Sequence, residues 1–102
     1  MSGYDNWSYT TRSVTAATTA TAQDYFILVS PGANPTNVAL PAPSSAVVGR
    51  EYVIRRDATA TNVVNITGHI NGTGASTVAV GAAGAISTTR VICNGTTWLT
   101  SV

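Results

Sequence analysis

A corner bounded by two prolines is the feature that most limits how this chain folds. An apolar segment ends at Leu40, and Pro41-Ala42-Pro43 follows it directly. Proline fixes φ and lacks the N–H group that a sheet ladder needs, so the first strand must stop pairing at Leu40. A turn closed by Gly49 then leads into a second apolar segment, Glu51 to Arg56. The unit from Asn37 to Asp57 therefore predicts strand, corner and strand.

Alternating or short apolar segments on both sides of this unit predict further strands. In the segment 51–56, alternation places Tyr52, Ile54 and Arg56 on one face, which we expect to be the core face. The segment 13–22 is weakly strand-like, and Tyr25 to Val29 is apolar enough to be covered on both faces. Further strands are expected at 63–67, 77–80, 86–93 and 98–102.

Turn residues separate these segments at short intervals. Asn94-Gly95 lies between the last two segments and is a strong signal for a β-hairpin. The glycine-punctuated stretch from Gly68 to Gly74 is expected to be a loop with Ile70 buried beneath it. Many short strands with frequent turns predict an all-β domain, a small antiparallel β-sandwich or barrel with a jelly-roll-like arrangement.

The composition points to self-association. The chain has 102 residues, of which only 9% are charged, against roughly 25% in an ordinary soluble domain. It contains no lysine, and its formal net charge is +1. A single copy would have little charge repulsion to keep it apart from other copies. We therefore expect a homo-oligomer.

The first residues differ in composition from the rest. Residues 1–12 are expected to form an arm, and residues 13–102 the single β-domain. Tyr4, Trp7 and Tyr9 stand among small polar residues, with Arg12 at the end of the arm. Such aromatic residues are enriched where proteins meet, so the arm is a candidate for docking onto a partner. The alternatives are that its aromatic residues fold back onto their own domain or that the terminus is frayed.

Few residues could carry catalytic or metal chemistry. His69 and Cys93 are each the only residue of their type, so one chain lacks a conventional zinc set, although a trimer could bring three His69 side chains together. The carboxylates show no acid and base pairing, and we expect neither enzymatic activity nor a cofactor. Arg55-Arg56 is too small a patch for nucleic-acid binding, and its expected place is a solvated strand end. No signal peptide and no apolar run long enough for a membrane span are visible.

From Thr21 onward, about four-fifths of the chain resembles a small β-domain of tailed-phage virion proteins. That domain occurs in capsid decoration proteins and in tail-fibre or spike tips. The matching segments are A-Q-D-Y-F-I-L-V at 22–29, V-A-L-P-A at 38–42, G-R-E-Y-V-I-R at 49–55, V-V-N-I-T-G-H-I-N-G at 63–72 and N-G-T-T-W-L at 94–99.

The resemblance implies a homotrimeric virion component without catalytic residues. Because a short arm and no shaft repeat precede the domain, we expect a capsid decoration, or cement, protein that binds the major capsid protein. It would be made in the host cytoplasm and lie on the capsid surface of the virion. The alternative is a fibre or spike tip that binds a host surface glycan through its loops, with Asn34, Asn37, His69 and Asn71 as contacts. A small glycan-active enzyme is the least favoured alternative.

Overall fold

The computed structural model describes residues 10–30, 35–46, 48–57, 62–81 and 86–101. Within these ranges the chain forms strands and one short 3-10 helix, Pro43–Ser45, and no α-helix. The predicted all-β class is confirmed. The strands are β1 (Thr10–Val14), β2 (Thr18–Thr19), β3 (Asp24–Val29), β4 (Thr36–Ala39), β5 (Glu51–Arg56), β6 (Val64–Ile70), β7 (Thr73–Ala79), β8 (Ser87–Cys93) and β9 (Trp98–Ser101).

All the strands belong to one sheet that curls into a nearly closed barrel. Their order is β1-β3-β5-β8-β9-β6-β4-β2, with β7 paired to β6. The first six strands alternate between the two ends of this order, so the chain crosses the molecule at each connection. We call β1, β3, β5, β8 and β9 the first arm of the sheet, and β2, β4, β6 and β7 its second arm. These two arms of the sheet are distinct from the predicted N-terminal docking arm, residues 1–12.

The expected antiparallel, jelly-roll-like arrangement is wrong for most of the sheet. Five of the eight strand pairs among the described residues are parallel. Each early strand lies beside the one two positions before it, after the chain has crossed to the other arm and returned in the same direction. Antiparallel pairs occur between β5 and β8, β6 and β7, and β8 and β9. The predicted terminal hairpin is thus confirmed.

The apolar core lies between the two arms. Trp98 is its largest side chain, and its ring lies 5.3 Å from that of Tyr52, at an angle of 43° between the planes. The predicted inner face of β5 is confirmed, because Tyr52, Ile54 and Arg56 are all buried. The buried apolar residues that form this core are Ala20, Ile27, Val29, Val38, Leu40, Tyr52, Ile54, Val64, Ile66, Ile70, Val80, Val91, Cys93 and Trp98.

The proline corner is attached to the terminal hairpin. The indole N–H of Trp98 donates a hydrogen bond of 2.8 Å to the carbonyl oxygen of Pro41. The thiol of Cys93 lies 3.4 Å from the carbonyl oxygen of Pro43, and the N–H of Gly49 donates to the carbonyl oxygen of Cys93 at 2.7 Å. The corner and its closing turn are therefore held by the last two strands of the chain.

The glycine-rich stretch predicted as a loop is a tight hairpin instead. Strand β6 continues to Ile70, which is buried as expected, and β7 starts at Thr73. Asn71 and Gly72 form the turn, with φ values of 51° and 84°. Positive φ at both residues is what a two-residue type I′ turn requires, and Asn-Gly meets that requirement best.

The buried carboxylate of Asp24 connects the first strands of the domain. Asp24 accepts hydrogen bonds from the guanidinium of Arg12 at 2.8 Å and from the N–H of Thr21 at 2.9 Å. Arg12 also donates to the carbonyl oxygen of Thr19 at 3.0 Å, which joins β1 to the edge of β2. Strand β1 begins at Thr10, so residues 10–12 belong to the sheet and the predicted arm ends before them.

Candidate interaction surfaces

Of the four residues predicted for docking, only Arg12 lies among the described residues. Tyr4, Trp7 and Tyr9 lie outside the described residues. Arg12 is held inside the sheet by Asp24 and by the carbonyl oxygen of Thr19. Its geometry therefore fits a structural role, and the docking role of the three aromatic residues stays a prediction.

The residues predicted for glycan contact do not form one cluster. Asn34 lies outside the described residues, and Asn37 is exposed on β4, where its side-chain oxygen lies 3.4 Å from the amide nitrogen of Asn65. His69 lies on β6, four residues beyond Asn65, which is about 13 Å along a strand. Asn37 and His69 are therefore too far apart to grip one sugar ring together.

Asn71 stabilises the fold. Its side-chain nitrogen donates to Thr100 Oγ1 at 3.0 Å, and its side-chain oxygen accepts from the N–H of Thr100 at 3.2 Å. These bonds fix the β6–β7 turn to β9. In the described part of the chain, no group of three or more His, Cys, Asp or Glu side chains could hold a metal ion. The same part contains no helix long and apolar enough to cross a membrane.

The outer face of the first arm carries apolar side chains. Phe26 and Leu28 of β3 point away from the core, because Ile27 and Val29, which alternate with them along the strand, are fully buried inside it. Both are only half-buried, so the described residues do not cover β3 fully on both faces as predicted. Strand register places further apolar residues on the same face. We define the apolar face as Phe26, Leu28, Val53, Ile92 and Leu99.

A small polar network crosses the apolar face, because Glu51 lies opposite Ile92 and Arg90 lies opposite Val53. A register irregularity opposite Thr10 and Thr11 leaves Tyr25 as an extra residue in β3, and its phenol donates to Glu51 Oε1 at 2.9 Å. Arg90 Nε lies 3.0 Å from the other oxygen of Glu51. The hydrogen bond to Glu51 raises the pKa of the Tyr25 phenol, because ionisation would remove the proton that the phenol donates.

The outer face of the second arm is polar but uncharged. None of its four strands contains Asp, Glu, Lys or Arg, and residues 58–89 contain no such residue at all. Every charged residue in the described ranges lies on the first arm or directly beside it. The outward rows of the second arm are set by strand register and consist of Thr19, Ala39, Thr67 and Thr77, and of Asn37, Asn65 and Ala79.

The sequence did not reveal the apolar face of the first arm or the neutral outer face of the second arm as a single surface, although each is indicated by a local sequence pattern. Strict alternation within Tyr25 to Val29 predicts an outward pair, Phe26 and Leu28. The charge-free stretch 58–89 predicts a neutral surface wherever its strands pair. Neither signal could be placed on a face without the strand order.

A scan against protein-family models finds no match, and searches of curated proteins and of solved structures find no significant similarity. The resemblance to phage virion domains therefore stays a prediction, and the surfaces described above must carry the functional argument.

Proposed function

We propose that this protein is a structural component of a tailed-phage virion, a homotrimer that binds and stabilises the capsid surface. The observation that carries the proposal is the apolar face of the first arm. Phe26, Leu28 and Ile92 are half-buried there, and 43% of Leu99 is exposed. These side chains form two apolar groups on one outer face, with the Glu51–Arg90 pair between them. Apolar side chains left open to solvent and interspersed with a few charged ones are typical of a protein interaction site.

Covering the apolar face would favour association of copies. Fully burying one large aliphatic or aromatic side chain contributes about 1.5–3 kcal/mol, so burying the exposed parts of several contributes a few kcal/mol in total. The charges on this face are of both signs, and Glu51 and Arg90 form an ion pair there, so they do not give the face a strong net charge. The side chain of Arg55 lies on this face, and it makes no hydrogen bond or ion pair with another described residue. It is therefore available to pair with a neighbouring copy.

A trimer suits attachment to a repeating particle surface. Three identical subunits present three copies of each weak contact, and linked contacts raise apparent affinity by ~100-fold or more without any strong individual bond. The aromatic residues Tyr4, Trp7 and Tyr9 are the proposed contacts with the major capsid protein. In this proposal the domain is a rigid support, and the particle gains stability because one trimer bridges neighbouring capsid subunits.

The proposal predicts lower heat resistance for particles that lack the protein. Infectivity and genome retention after heating should fall, and added wild-type protein should restore them. A Leu99→Glu variant should restore less, because it places a charge on the apolar face, whereas Ala22→Glu, on an exposed turn, should restore fully. Particles that resist heat equally well with and without the protein would contradict the proposal.

The neutral outer face of the second arm favours a second candidate, a fibre or spike tip that binds a host surface glycan. Its hydroxyl and amide groups, among them Asn37 and Asn65, can hydrogen-bond to uncharged sugars without ion pairing. Purified protein should then bind host cells and compete with phage adsorption. Replacing both Asn37 and Asn65 with alanine should weaken that binding, whereas replacing exposed Thr11 of the first arm should not.

A further inference from the structure

Strand β7 is an edge strand of the second arm. It pairs only with β6 within the described residues. Val80 N–H donates to the carbonyl oxygen of Val64, and Val78 lies opposite Ile66. Since successive residues of a strand direct their backbone groups to opposite sides, the N–H and C=O of Thr77 and Ala79 point away from β6. These groups form a row on which another strand can pair.

Within the described residues, the β1 and β2 edges of the sheet are protected, whereas the β7 edge is not. Natural edge strands usually avoid pairing by being short, by carrying charge or proline, or by bulging. Strand β2 has two residues, and the carbonyl oxygen of Thr19 in it already accepts a bond from Arg12, the charged residue of β1. Strand β7 has seven residues and no charge or proline. Its register irregularity lies near the turn, and Ser76 to Ala79 pair regularly with β6.

We propose that the β7 edge binds the β7 edge of a second copy in an antiparallel pair, which joins the two second arms into one continuous sheet. Identical charged residues brought together by a two-fold axis would repel, and this arm contains none. The outward side chains of Thr77 and Ala79 are small and exposed, so two copies can approach to hydrogen-bonding distance. Two copies of the charge-free stretch 58–89 can therefore lie side by side without charge repulsion.

This two-fold pairing differs from the apolar face of the first arm, and it does not depend on the proposed function. If both contacts form, the β7 pair links one trimer to the next and connects the protein into a net. If particles that lack the protein resist heat normally, the proposed function is contradicted, but the proposal of a β7 pair is unaffected. If the β7 pair does not form in solution, capsid binding is still tested separately by the heat resistance of particles with and without the protein.

Two substitutions at Thr77 test the pairing. Thr77→Pro removes an N–H that points away from β6, so it removes a donor of the new ladder without removing a β6–β7 hydrogen bond. Thr77→Lys adds a charge that the two-fold axis brings close to its own copy. Ala22→Lys, on an exposed turn, adds the same charge elsewhere and is the matched control.

Molar mass by light scattering across a concentration series is the first measurement. The wild-type protein and Ala22→Lys should show a concentration-dependent rise in mass, a doubling if single copies pair and a larger rise if trimers are linked. Both Thr77 variants should shift that rise to about tenfold higher concentration or beyond. Hydrogen exchange should show protected Thr77 and Ala79 amides in the wild-type associated state. If Thr77→Pro fails to fold, Thr77→Lys carries the test. Absence of a concentration-dependent rise in mass for the wild type, unprotected amides at these positions, or an unchanged rise for folded Thr77→Lys would overturn the proposal.

Discussion

Replacing Arg56 with alanine should destabilise the domain by about 3–5 kcal/mol, a large part of the roughly 5–15 kcal/mol that holds a domain folded. The Arg56 side chain is fully buried, and its guanidinium donates to the carbonyl oxygens of Asp57 and Asn62. Alanine would leave a cavity and would deprive these part-buried carbonyls of their donor. Denaturant unfolding monitored by circular dichroism measures the loss.

The neighbouring arginine is the matched control. The Arg55 side chain lies on the opposite face of β5, is half-buried and bonds to no other described residue, so Arg55→Ala should change stability by less than about 1 kcal/mol. Arg56→Met keeps most of the volume and should fall between the two alanine variants. Equal unfolding midpoints for Arg55→Ala and Arg56→Ala would contradict the assignment of Arg56 to the core.

Replacing Trp98 with alanine should cost about 3–5 kcal/mol for the lost packing, with a further contribution from the lost hydrogen bond. Trp98 is fully buried against Tyr52, and its indole N–H is bonded to the carbonyl oxygen of Pro41. The substitution removes the centre of the core and releases the proline corner. We expect a protein that is largely unfolded or melts far below the wild type in thermal unfolding.

Two further variants separate the causes of this loss. Trp98→Phe keeps an aromatic ring and loses the hydrogen bond to Pro41, so its cost should be clearly smaller than that of alanine. Leu99→Ala changes the next residue of β9, which points outward and is 43% exposed, and it should cost little. A Leu99→Ala effect as large as that of Trp98→Ala would mean that β9 faces the other way.

Local structure could be predicted from the sequence where a residue type or pattern is compatible with only one local conformation. Proline at 41 and 43 ended β4, and alternation in β5 oriented Tyr52, Ile54 and Arg56 correctly. Asn94-Gly95 marked the terminal hairpin. Asn71-Gly72 carries the same hairpin signal, but the surrounding glycines suggested a loop and hid it. Arg56 was assigned to the core face by alternation, and its expected solvation as half of an arginine pair was wrong.

Strand order could not be predicted, because turn residues show where a strand ends and not which strand it joins. The connections after Val14, Val29 and Arg56 cross to the opposite arm, and their sequences resemble ordinary turns. The parallel pairs that result are held by main-chain bonds such as that from Ser30 N–H to Val14 C=O, which any residue can supply. The two surfaces depend on this order, since it gathers the charges on one arm and leaves the other neutral.

Electron microscopy of intact particles, with the protein labelled or removed, tests the proposed virion role most directly. Our account predicts density on the capsid surface at points between capsid subunits, which disappears when the protein is absent. Label at the tail or at a fibre tip would contradict capsid decoration and would favour the glycan-binding candidate. Particles that never contain the protein would contradict both.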